Sequence, residues 1–189
     1  MDSVEYKDYF EHKELPLGQA VKPGETLQRG TRILERLGLN YWICAGTALG
    51  LHRNKDFIPN DTDIDVGVEY SWHHPFLHVV AENIIYAMRG MRLLRTQHYQ
   101  GRPMQIAFLD ENNVVFDIYF YYTDFDPDRV VNYNTNGKMV MPYYLFMEKE
   151  FSNTIYGKFP FPKPIEDFLI IRYGQDWQTP KEDKGIFTA

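Results

Sequence analysis

The chain has 189 residues, 44% hydrophobic and 24% charged, the proportions of a globular domain long enough to enclose a sizeable core. Its formal net charge of -6 argues against the clustered basic footprint that nucleic-acid backbones require, and no apolar run reaches membrane-spanning length. The single cysteine, Cys44, excludes an internal disulfide and a zinc framework; within its apolar run it reads as a small buried hydrophobe.

Residues 1–24 mix charge, aromatics, Pro16 and Pro23 without a period and read as an arm that packs on the domain. The start of the chain lacks the basic region and apolar core of a signal peptide, so the expected location is cytoplasmic. Residues 25–180 form one domain, followed by a tail at 181–189. Thr26 to Leu37 has Leu27, Ile33, Leu34 and Leu37 at near-helical spacing, with Gly38 as the stop. Tyr41 to Cys44 is a compact apolar strand ending at Ala45-Gly46-Thr47, and Ala48 to His52 starts a helix. Backbone N–H groups around Gly46 and Thr47 would then point at an anion, and Gly46 lets a phosphate approach closely.

Further on, Asp61, Asp63 and Asp65 fall at every second residue, alternating with apolar Ile64 and Val66, which is the period of a strand with its carboxylates on one face. Like charges so close raise each other's pKa unless a divalent cation neutralises them, and hard oxygen ligands favour Mg2+ or Mn2+. An EF-hand loop is excluded, because Val66 and Trp72 stand where it needs Gly and Glu. The competing reading is a set of solvated aspartates at a strand edge.

Ser71 to Pro75 reads as a helix entry, and Phe76 to Arg89 as a helix ending at Gly90. His74 and His78 lie four apart, which on a helix could place two imidazoles together for zinc, but Pro75 marks the helix start and no further ligand is evident in the sequence. Met91 to His98, Met104 to Leu109 and Val114 to Tyr122 are strand-like. The last carries one acid, Asp117, in an otherwise apolar run. An unpaired carboxylate buried there would be costly, so Asp117 either faces Asp63 and Asp65 or is neutralised by a nearby arginine. Asn136-Gly137 within Val130 to Met141 signals a hairpin. Thr154 to Phe161 reads as a strand and Ile165 to Tyr173 as a short helix closed by Gly174.

AGTALGLHR followed by FIPNDTDIDVGV resembles the LicD and fukutin-related branch of the nucleotidyltransferase superfamily, which reads GGT-L-G, then R, then IPWDDDIDIG. Ala45, Asn60 and Thr62 depart from that pattern, and Asp63 and Asp65 keep it. YGKFPFPKPIEDFLIIRYGQDWQTP is similar to the family's closing element, so the resemblance runs from the first helix to Pro180. It implies an α/β (α+β) fold in which helices flank a nucleotidyltransferase-like mixed sheet in a single domain. It also makes Asp117 the superfamily's third carboxylate.

By resemblance, the activity is Mg2+-dependent transfer of a phospho-alcohol, of phosphocholine or polyol-phosphate type, from a CDP-activated donor to a glycan or other hydroxyl acceptor. Asp63, Asp65 and Asp117 are then the catalytic and metal-binding residues. Gly46 and Thr47 hold donor phosphate, Arg53 and Lys55 offset its charge, and Asp61 orients a ligand. For Arg53 an ion pair with Asp61 or Asp56 is the alternative. Nucleotidyl transfer to a small hydroxyl compound would use the same residues, and a non-catalytic nucleotide-binding module is the reading outside the enzymes.

Overall fold

The computed structural model describes residues 4–9, 16–20, 22–59, 61–71, 77–134 and 137–180. Asn60, residues 72–76 with His74 and the expected helix entry, Asn136 and the 181–189 tail lie outside the described residues.

One mixed sheet organises the molecule. Its main path runs β1 (Val4–Asp8), β4 (Arg92–Tyr99), β5 (Arg102–Leu109), β6 (Val115–Asp126), β3 (Asp63–Tyr70) and β2 (Tyr41–Ile43). Two further strands, β7 (Arg129–Asn134) and β8 (Gly137–Pro142), extend it from the far half of β6. Only β3 and β6 pair in parallel among the described strands. A parallel pair needs a long crossover, which α3 (Leu77–Ala87), β4 and β5 supply. The residues assigned to an arm contribute β1, which pairs with β4 along its whole length.

The alternation of β3 and β6 sorts the sheet into two faces. On one, Ile64, Val66 and Val68 pair with Phe116, Ile118 and Phe120, and all six are fully buried, each worth about 1.5–3 kcal/mol of burial. α1 (Pro23–Arg36) covers this face with Leu27, Gly30 and Leu34. Its approach is close: a Cβ at Gly30 would lie 2.3 Å from the Phe116 ring. The other face carries Asp63, Asp65 and Gly67 opposite Val115, Asp117 and Tyr119. Trp42 of β2 lies over Gly67 on this side, where a Cβ would meet its ring nitrogen at 2.5 Å.

The single strand expected at Thr154 to Phe161 is instead the turn and second arm of a hairpin. β9 (Lys149–Thr154) and β10 (Gly157–Pro162) pair antiparallel. The Thr154 hydroxyl accepts the Tyr156 N–H at 3.1 Å and donates to the Gly157 carbonyl at 2.9 Å, so side-chain bonding makes a turn that has no Asn-Gly signature. α4 (Tyr144–Met147) precedes the hairpin, and α5 (Ile165–Tyr173) follows it, ended by Gly174 at φ 90°. No helix among the described residues is long and apolar enough to cross a membrane.

Candidate functional site

The turn out of β2 sets the geometry of the site. The Cys44 N–H donates to the Asp65 carbonyl at 3.2 Å, which continues the β2–β3 ladder by one residue. The chain then enters α2 (Ala45–Leu49) with no intervening loop and runs on into a π-helical turn, Gly50–Asn54. The helix thus begins three residues before the expected Ala48. Entry is abrupt enough to force Ala45 to φ 44°, a left-handed conformation for a residue with a β-carbon.

α2 is fixed to β3 by reciprocal hydrogen bonds. The Asp65 N–H donates to the Thr47 hydroxyl at 2.8 Å, and the Thr47 N–H donates to Asp65 Oδ2 at 3.3 Å. Gly46 lies directly over the carboxylates: a Cβ there would be 2.2 Å from Asp61 Oδ2 and 3.3 Å from Asp65 Oδ2. What approaches the glycine backbone in this structure is therefore a carboxylate, and the fully buried Thr47 side chain serves to position Asp65.

Asp61, Asp63 and Asp65 converge so that one oxygen of each lies within 4.8 Å of the others. Asp61 precedes the strand; its N–H donates to the Ile58 carbonyl at 3.0 Å, and its own carbonyl accepts the Leu17 N–H from the amino-terminal segment. Asp117 is the register partner of Asp65 across the parallel pair, so the two side chains share a face on strands about 4.8 Å apart. Its carboxylate is fully buried. Asp117 Oδ2 accepts from Arg95 Nη2 at 3.0 Å, the same nitrogen lies 4.0 Å from Asp63 Oδ2, and Oδ1 has no hydrogen-bond partner among the described residues. Asp117 thus faces the aspartate pair and is paired with an arginine at once.

Burial first, then the charges of Asp63 and Asp61, push the Asp65 carboxyl well above the ordinary 3.8, against Arg172 and the Thr47 N–H. Asp117 is likewise pushed up, by burial and then by Asp63, with Arg95 opposing. Burial also raises the Cys44 thiol, which removes it as a nucleophile. Four carboxylates held this way, two of them nearly inaccessible, are what a hard divalent cation relieves. With oxygen as the only donor atom in the Asp61, Asp63 and Asp65 cluster, and the buried Asp117 oxygen beside it, the residues fit Mg2+ or Mn2+.

Arg53 and Lys55 lie on the turn after α2. Arg53 donates to Asn54 Oδ1 at 2.8 Å and to the Trp177 carbonyl at 3.3 Å, and Lys55 Nζ donates to the His52 carbonyl at 2.9 Å. These contacts direct Arg53 to the carboxyl-terminal segment and Lys55 to the turn's own backbone. Two cations that the sequence did not single out act on the carboxylates. Arg95 comes from β4; the half-buried Arg172 comes from the last turn of α5. Burial pulls the Arg172 pKa down and neighbours including Asp65 push it up, and its guanidinium stays charged throughout. Only the pairing of two consecutive leucines, Leu93-Leu94, ahead of Arg95 hints at a disturbed alternation.

Comparison with known proteins bears on this arrangement. Over 162 residues the chain is 26% identical to human ribitol-5-phosphate transferase FKTN and 28% to the mouse protein. Those alignments take in 82% of this chain, which spans about a third of the length of these curated relatives. Among solved structures, the lincosamide antibiotic adenylyltransferase LnuA, bound to lincomycin, superposes with a TM-score of 0.52 at 16% identity, over 82% of this chain and 89% of that one. That likeness shows a shared nucleotidyltransferase-like fold. A family model described as LicD/FKTN/FKRP, nucleotidyltransferase domain, matches residues 38–162, a stretch that includes β2, α2, all three clustered aspartates, Arg95 and Asp117. With that match over most of its length, and with transferases as its relatives, the chain belongs to the LicD/FKTN/FKRP family of enzymes.

Proposed function

We propose that the chain transfers a phospho-alcohol, of polyol-phosphate or phosphocholine type, from a CDP-activated donor to a hydroxyl of a glycan or other acceptor. The observation that carries this reading is the convergence of Asp61, Asp63 and Asp65 beside the buried Asp117 at the end of a parallel strand pair. The ribitol-5-phosphate transferase relatives support the polyol-phosphate class.

Asp61, Asp63 and Asp65 would hold Mg2+ or Mn2+, which when bound neutralises charge on the donor phosphates. In the transfer, the acceptor oxygen bonds to the alcohol-bearing phosphorus, the bond from that phosphorus to the bridging oxygen breaks, and CMP leaves. Asp117 Oδ1, buried and without a hydrogen-bond partner among the described residues, accepts the acceptor's proton. The Gly46 backbone faces Asp61 and Asp65 rather than a donor phosphate, and Arg53 with Lys55, on the turn after α2, adds positive charge for the donor.

The test is mass spectrometry of reactions given a panel of CDP-alcohols and free nucleotides with Mg2+. The expected outcome is CMP release with a phospho-alcohol added to the acceptor, lost in Asp63→Ala and Asp65→Ala. A nucleotidyl adduct on the acceptor would instead make the chain a nucleotidyltransferase, and nucleotide binding without any product would make it a binding module.

A further inference from the structure

Arg95 reaches the carboxylates through two features of the sheet. Opposed residues form a lateral row, Arg95 on β4, Ala107 on β5, Asp117 on β6 and Asp65 on β3, all on the site face. Ala107, fully buried, puts only a methyl group between Arg95 and Asp117, and the guanidinium crosses it to lie 3.0 Å from Asp117 Oδ2 and 4.0 Å from Asp63 Oδ2. The second feature is a bulge. Leu93 pairs with Phe108 but Arg95, two residues on, pairs with its neighbour Ala107, so the extra residue Leu94 turns Arg95 onto the site face. Bulges beside functional sites re-aim side chains in this way.

A divalent ion shared by Asp63 Oδ2 and Asp117 Oδ2 would have to lie about 2.0–2.1 Å from each oxygen, in the space next to which Arg95 Nη2 already stands. We propose that Arg95 is a built-in second cation, which takes the charge-balancing position of a second divalent ion and leaves the site to bind one. The inference rests on the cation reading of the aspartate cluster given above. With Arg172 also acting electrostatically on Asp65, two guanidinium groups and one divalent ion balance four carboxylates. Arg95 acts here as a positioning residue, through its hold on Asp117 and the ion it excludes.

The experiment counts Mn2+ ions bound to the full chain, by calorimetric titration and electron paramagnetic resonance, with no substrate present. The expected counts are one in the unmodified protein, one in Arg95→Lys, which keeps the charge, and two in Arg95→Met. Two ions in the unmodified protein, or one in a folded Arg95→Met with unchanged affinity, would overturn the proposal and leave the aspartate cluster standing as a cation site. No ion in the unmodified protein would overturn the cluster reading and this one with it. Where Arg95→Met does not fold, two ions in either of the other proteins overturn the proposal and one in both supports it.

Discussion

Ala45 and Gly46 are adjacent in the turn into α2, and exchanging the two residue types one position at a time is expected to have opposite effects. Ala45 has φ 44°, where a β-carbon costs about 1–2 kcal/mol. Ala45→Gly should therefore raise stability by up to about 1 kcal/mol after the loss of one buried methyl, read as a higher thermal midpoint. At Gly46 the constraint is space: a Cβ 2.2 Å from Asp61 Oδ2 must displace that carboxylate. Gly46→Ala is expected to weaken Mn2+ binding by about 10–100-fold; an unchanged dissociation constant would exclude Asp61 from the ligand set. Asp65→Asn keeps an oxygen to accept the Thr47 N–H while removing a buried charge that burial, Asp63 and Asp61 all disfavour. The metal-free variant should gain about 1 kcal/mol or more in urea unfolding, and turnover should fall about a hundredfold or more. A variant that is less stable without metal would contradict the crowding described here.

At the scale of elements, α1 and the carboxylates lie on opposite faces of β6, which makes their contributions separable. Gly30→Val drives a branched side chain into the Phe116 ring, 2.3 Å from the first added carbon, and should cost about 1–3 kcal/mol of stability. Mn2+ affinity should change little, because Phe116 points away from Asp117; a large loss of affinity would show the two faces to be coupled. The same alternation explains what could be read from the sequence. β3 and β6 announce themselves because apolar residues at every second position surround isolated aspartates, so Asp63, Asp65 and Asp117 were identifiable. Arg95 was not, since its orientation depends on the one-residue bulge at Leu94, and a bulge leaves only a pair of leucines in the sequence. β9 escaped for a different reason. Lys149 to Thr154 is polar except for Phe151 and has no buried residue, so its strand comes from pairing with β10 rather than from a core-facing pattern.

For the molecule as a whole, the site stores electrostatic strain that sets how stability depends on pH. The folded-state pKa values of Asp65 and Asp117 lie above the ordinary 3.8, so the folded, metal-free chain holds protons that the unfolded chain has released. Burial is the first cause for both; Asp63 and Asp61 add to it at Asp65 and Asp63 and Asp65 at Asp117, while Arg172 and the Thr47 N–H oppose it at Asp65 and Arg95 at Asp117. Stability without metal is therefore full below that ordinary value and declines as pH rises through the raised values. A bound divalent cation reverses the sign by favouring the ionised carboxylates. The increase in thermal midpoint on adding saturating Mg2+ should grow steadily from about pH 4 to about pH 8; an increase independent of pH would mean that the cation binds elsewhere. The hydrogen bond from the Leu17 amide to the Asp61 carbonyl carries this coupling out of the sheet. Exchange of that amide proton with deuterium requires the loop bearing Asp61 to open, so a cation seated on the carboxylate should slow exchange at Leu17 on the amino-terminal segment. That amide becomes a built-in reporter of occupancy, readable without substrate or turnover.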